Sequence, residues 1–176
     1  GQIYVEKYFS PEAKADVEAM IDEMLDGYGQ RIQALDWMSD TTKAKALEKL
    51  EAITVNVGYP DKWDDIYDDV EILSVEQGGS YYENMIAMIQ ASMAKMAEDR
   101  GTWAMSVYTV NAYYSPQNNS INFPAGILQA PLYDVEADHT ENLGGIGYVI
   151  AHEISHAFDN NGAPFDAQGN QSNWWT

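Results

Sequence analysis

Residues 147–162 read GYVIAHEISHAFDNNG. Two histidines, His152 and His156, stand four apart, with Glu153 directly after the first. On an α-helix this spacing leaves the imidazoles about 40° apart around the axis and about 6 Å apart along it. Both rings therefore leave the same face, and two nitrogens held in this way can bind one Zn²⁺ at about 2.0–2.1 Å each. Glu153 is turned about 100° from His152, which suits it poorly as a third ligand and well as a neighbour of water in the open coordination position. Zinc lowers the pKa of such a water towards ~7, and a carboxylate beside it takes the proton as the water attacks a carbonyl. This is the chemistry of the H-E-x-x-H arrangement, with His152 and His156 as metal ligands and Glu153 as general base.

The surrounding residues favour that reading over a chance pairing, which a chain of this size produces on the order of a percent of the time or less. Ile146, Val149, Ile150 and Ile154 give the segment an apolar side, so a core fixes the histidines. A glycine-punctuated helix is expected from about Glu141 to Asp159, ended by Asn160-Asn161-Gly162. The third histidine, His139, lies in the polar stretch EADHTEN and reads as solvated.

The chain has 176 residues, enough for one domain or two small lobes. Its 28 acids against 9 bases give a formal charge of −19, which argues against nucleic acid and against docking on anionic membrane surfaces. There is no cysteine, so disulfides, thiolate zinc sites and cysteine nucleophiles are all excluded. No apolar run approaches the ~18–20 residues of a membrane span.

Upstream, Ser10-Pro11-Glu12 reads as a helix start. Val17, Met20, Ile21, Met24, Leu25 and Tyr28 carry the helical period, with a continuation through Ile32 and Leu35 to Met38. A second helix is expected from Ser39 or Asp40, with Leu47, Leu50, Ile53 and Val57 as one stripe and Gly58 and Pro60 as its stop. Residues 61–79 read as an acidic loop with one short strand or turn. A third helix is expected from Ser80 to about Arg100, with Met85, Ile89, Met93 and Met96 along a core side. After Gly101 the stretch TWAMSVYTVNAYYS reads as a strand, SPQNNS as a turn and INF as a return strand. PAGILQAPLYD reads as turns and a short helix, and PFDAQGNQS as a tight turn between short strands. The fold class is α+β: a mainly helical segment over 1–100, then a mixed region over 101–176 that holds the chemistry.

With NAYYS, INFPAGILQAPLYD, ENLGGIGYVIAHEISHAFD and FDAQGNQSNWWT in order, the chain resembles the neprilysin-like (M13) family of zinc metallopeptidases over nearly its whole length. The resemblance implies a thermolysin-like zincin core of short antiparallel strands and an active-site helix. It implies zinc as cofactor, peptides as substrates, and cleavage before an apolar residue. Asn111 and Ala112 match the family's pair that holds the substrate backbone, here at the end of the expected strand. Ile127, Leu132, Tyr148 and Val149 fall where the family builds its apolar pocket; read alone they are core. Asp159 matches a family acid able to anchor a histidine through its other nitrogen. Ala157 and Asn160 stand where many relatives carry glycine and aspartate.

A catalytic zinc usually has three protein ligands. In the family the third is a glutamate of an E-x-x-x-D motif, several dozen residues after the histidine pair, and this sequence ends at Thr176. The resemblance therefore implies that these residues are one piece of a longer enzyme, truncated at 176. Such a piece would be inactive alone, would bind zinc weakly or not at all, and could self-associate through surface left exposed. A second reading is a non-catalytic relative acting as a peptide-binding or interaction protein. The absence of cysteine and of a membrane span tilts the expected source to an exported bacterial protein, periplasmic or at the cell surface.

Overall fold

The computed structural model of the chain describes residues 1–63, 67–98 and 103–176, without side chains at 95–98. In chain order its elements are α1 (Gln2–Tyr8), α2 (Pro11–Ala34), α3 (Asp40–Glu51), β1 (Thr54–Gly58), α4 (Tyr81–Glu98), β2 (Tyr113–Ser115), β3 (Ser120–Pro124), α5 (His139–Gly144) and α6 (Ile146–Ser155). They divide into two compact units, Gly1–Tyr59 with Met105–Thr176, and Pro60–Ala104. The α+β class expected from the sequence holds.

In the larger unit, Ser10 Oγ accepts the Ala13 N–H and Pro11 occupies the first turn, so α2 begins where the sequence places it. It stops at Ala34 rather than running to Met38, and Ser39 opens α3 by accepting the Thr42 N–H. Val17, Met20 and Ile21 of α2 are buried with Ala46 and Leu50 of α3, Ile121 and Phe123 of β3, and Ile146, Ile150 and Ile154 of α6. The helix α2 packs against α3, β1 and α6. Tyr28 Oη donates to Ala151 O at 2.7 Å and fastens α2 to α6. Ile150 is fully buried in this packing, and Ile150→Ala is expected to cost about 2–5 kcal/mol in an unfolding titration.

Several expectations are corrected. First, the second helix ends at Glu51, and Val57 lies in β1. The four-residue spacing of Ile53 and Val57 fits a helix, but Ile53, Val55 and Val57 also alternate as β-branched residues. β3 supplies a parallel partner from Thr54↔Ser120 to Gly58↔Pro124. Second, the sheet is mixed, in the order β1-β3-β2, with only β2 antiparallel to β3. Third, residues 103–112 form no strand; of the long aromatic run only Tyr113–Ser115 pairs. The chain turns at Thr109, whose N–H donates to Ser106 O, and the Gly126 N–H donates to Val107 O. Fourth, the helix expected over 141–159 is broken at Gly145 into α5 and α6. A β-carbon at Gly145 would collide with the carbonyl of Leu132, which accepts the Ile146 N–H at 2.7 Å. After Pro124, the last residue of β3, PAGILQAPLYD holds turns and no helix, and PFDAQGNQS forms a turn closed by a single bridge between residues 165 and 171 instead of short strands.

The smaller unit holds α4 and a 3-10 turn at Val75–Gln77. Met85, Ile89 and Met93 are exposed rather than core, and the Met96 side chain lies outside the described residues. The α4 start is capped by Ser80, whose Oγ accepts the Glu83 N–H.

Lys49 is the largest fully buried side chain of the larger unit, 1% exposed. Burial pushes its ammonium down to about 8 from 10.5, with the Asp166 and Asp159 carboxylates pulling the other way. An unfolded lysine titrates near 10.5, so between pH 8 and 10.5 the unfolded chain binds a proton that the folded chain has shed. Stability therefore rises with pH across that window, by about 3 kcal/mol in total. Unfolding titrations of wild type and Lys49→Met from pH 7 to 11 should show the wild type gaining on the variant above pH 8.

Candidate metal centre

The isoleucines at 146, 150 and 154 recur every four residues and are fully buried, which fixes the rotation of α6. His152 is thereby turned outward, and His156, at the C-cap with helical dihedrals, follows it on the same face. The two Nε2 atoms lie 3.0 Å apart, with ring centroids at 4.5 Å. Two nitrogens bound to one tetrahedral zinc would sit about 3.3–3.4 Å apart, so the pair needs only a small adjustment to share an ion.

The other nitrogen of His156 is also occupied. Asp159 Oδ2 lies 2.6 Å from His156 Nδ1. A proton on Nδ1 donated to this carboxylate leaves Nε2 with its lone pair free towards His152, the tautomer a metal ligand requires. Asp159 Oδ1 meanwhile accepts the N–H groups of Asn161, at 2.8 Å, and Gly162, at 3.0 Å. Burial pushes this carboxyl up, but the bonds from His156, Gly162 and Asn161 outweigh it and hold it below its ordinary value. Gly162 permits this tight turn, because a β-carbon there would collide with His156 O. Asp159→Asn is expected to weaken zinc binding about 10–100-fold in a competitive chelator titration, through loss of that anchor.

Glu153 is 5% exposed. Burial raises its carboxyl above the ordinary value, opposed by His156, by His152 and by a hydrogen bond from the Tyr114 backbone N–H. A carboxylate raised in this way moves towards the range in which a general base takes and returns a proton near neutrality. Tyr114 belongs to β2, so the sheet edge and the histidine helix meet at this side chain.

These groups line one cleft of about 360 Å³, which Asn111, Ala112, Tyr113 and Tyr114 share with His152, Glu153, His156 and Asp159. Asn111 is exposed and Ala112 buried, and both precede β2 instead of ending a long strand. Ile127, Leu132, Tyr148 and Val149 are not among the residues lining this cleft. Ile127 is buried and Leu132 and Val149 are half-buried. Tyr148 is 73% exposed, one turn before His152 on its face of α6. His139 is exposed, as expected, and lies 3.0 Å from Glu23. Among the described residues no third His, Cys, Asp or Glu joins the pair as a ligand group. The imidazole pair, its anchored tautomer and the adjacent carboxylate nevertheless suit zinc by donor type.

Sequence reasoning missed Lys49 and Tyr114 at this site. The register of Lys49 with Thr42 and Ala46 becomes a signal only once the buried face of α3 is known from the structure. Nothing in the sequence marks the Tyr114 N–H.

Two models of peptidase family M13 match the chain, one over residues 1–60 and the other over 111–176. A neutral endopeptidase of Lactococcus lactis is 48% identical over 99% of the chain, and the endothelin-converting enzyme-like 1 of Homo sapiens is 38% identical over all of it. The crystal structure of PEPO from Lactobacillus rhamnosis matches 99% of the chain with a TM-score of 0.85 at 43% identity. The chain covers 28% of that structure. The Mycobacterium tuberculosis zinc metalloprotease ZMP1, solved with an inhibitor, matches with a TM-score of 0.82 at 40% identity and is covered to 26%. The chain belongs to peptidase family M13. It spans 28% of the length of the Lactococcus relative and 24% of the human one.

Proposed function

We propose that the protein carrying this chain is a zinc-dependent endopeptidase, with His152 and His156 as two of the zinc ligands and Glu153 as the general base. The observation that carries this reading is the convergence of the two Nε2 atoms at 3.0 Å beside a buried carboxylate. Zinc, when bound, would polarise the scissile carbonyl and make water acidic enough to be deprotonated near neutral pH. Asp159 holds the His156 ring and its tautomer. Glu153 takes the proton of the attacking water and returns it to the leaving amine as the C–N bond breaks. The low exposure of Glu153 keeps bulk water from competing for that proton.

Asn111 and Ala112 line the same cleft, where their backbone and the Asn111 amide would hold an extended peptide beside β2. In this reading Tyr148 and Val149, within one turn of His152, would form with Ile127 and Leu132 the apolar pocket for the residue after the cut, although none of the four lines the cleft of the histidine pair. A third ligand from outside residues 1–176 would complete the zinc shell, so this chain alone should bind zinc weakly and be inactive. No helix among the described residues is long and apolar enough to cross a membrane. An exported bacterial setting and self-association of the isolated chain belong to the same reading.

The test is peptide hydrolysis by the full-length protein. Activity should vanish with a zinc chelator and return with added zinc. Hydrolysis that survives complete zinc removal would overturn the proposal.

A further inference from the structure

Lys49 lies on α3, more than a hundred residues before the turn that follows the histidines, yet its Nζ reaches three carbonyls of that turn. It donates to Ala157 O at 2.8 Å, Gly162 O at 2.7 Å and Phe165 O at 2.7 Å. An ammonium has three N–H donors, and all three are used. Ala157 directly follows His156, at the negative end of α6, where a cation is favourably placed. Gly162 is held from both sides, since its N–H donates to Asp159 Oδ1 while its carbonyl accepts from Lys49.

The rest of the pocket closes around this ammonium. The Tyr114 and Trp174 rings each lie with centroids 5.8 Å from Nζ. Tyr114 is also the residue whose backbone N–H meets Glu153. Its hydroxyl donates to Asn119 Oδ1 at 2.9 Å, and Asn119 Nδ2 donates to the Lys49 carbonyl at 3.0 Å. Taking a cation out of water is costly, and an apolar side chain of the same length would fill the space without that cost. Two of the three carbonyls do not depend on Lys49 for a partner. Gly162 O also accepts the Phe165 N–H at 3.0 Å, and Phe165 O the Trp174 Nε1–H at 3.0 Å. Loss of the ammonium should therefore loosen the turn more than it unfolds the chain.

We infer that Lys49 is a positioning residue of the metal centre: by gathering the carbonyls of Ala157, Gly162 and Phe165 it sets the turn that presents Asp159 to His156. The inference rests on reading the histidine pair as a zinc site, and one of its readouts is independent of metal.

The experiment uses the full-length protein labelled with ¹⁵N-histidine, as wild type, Lys49→Met and Lys49→Gln. In the metal-free state, the hydrogen-bonded Nδ1–H proton of His156, identified by its loss in Asp159→Asn, should weaken or vanish in Lys49→Met. The zinc dissociation constant should rise about tenfold or more, the size expected for a ligand's supporting partner. With zinc saturating, kcat should fall while KM stays within about twofold, because substrate contacts are untouched. Lys49→Gln, neutral but still a donor, should fall between the two, and it decides by the same readouts if Lys49→Met does not fold. An unchanged His156 signal and zinc affinity in a folded variant would overturn the inference. So would a lower Tm with both unchanged, which marks a packing role only. Failure of the wild type to take zinc would instead refute the metal reading, and the imidazole signal would still decide for or against Lys49.

Discussion

Glu153→Gln in the full-length protein should lower kcat/KM by about 10²–10⁴-fold while zinc content stays at the wild-type level. The size follows from the role, because among the described residues Glu153 is the buried carboxylate beside the histidine pair, while Asp159, also lining the cleft, is engaged by His156 and by the Asn161 and Gly162 N–H groups. Zinc is expected to remain because Glu153 is turned away from the shared side of the two imidazoles. Glutamine keeps the volume, and its side-chain oxygen can still accept the Tyr114 N–H, so folding should be unaffected. Metal analysis and steady-state kinetics on the same preparation check both halves. Wild-type turnover in the variant would remove Glu153 as the base.

His156→Ala should have the larger effect on the metal. It deletes one of the two imidazoles proposed as ligands and leaves Asp159 without the Nδ1 it faces at 2.6 Å. Zinc affinity should fall by more than the ~10–100-fold expected of Asp159→Asn, since a ligand is lost as well as its support. Activity should be lost with it. The comparison orders the two residues: if Asp159→Asn costs as much zinc affinity as His156→Ala, the carboxylate is itself a ligand and its assignment as an anchor is wrong.

Much of this was legible before any coordinates. The i, i+4 histidines and the isoleucine spacing settle the orientation of α6 because both follow helical geometry, and a break at Gly145 upstream does not disturb them. The start of α2 was equally plain, since Ser10-Pro11-Glu12 acts through local bonding. Where the reading failed, the deciding interaction was distant in sequence. Val57 became a strand residue because β3, more than sixty residues later, offers it a register partner. The run TWAMSVYTVNAYYS has strand composition, but among its described residues only Tyr113–Ser115 find a ladder. Within the site, the Asp159 turn could be foreseen from its neighbours, whereas the Lys49 ammonium beneath it could not. A lysine on a helix reads as solvated until the chain returns three carbonyls to it.

The most direct test is X-ray absorption at the zinc edge of the full-length protein, wild type against His152→Ala and His156→Ala. The wild type should show at least two imidazole nitrogens at about 2.0–2.1 Å, and each variant should lose one of them or lose the metal. A zinc shell unchanged in both variants would contradict the claim that one face of α6 holds the ion.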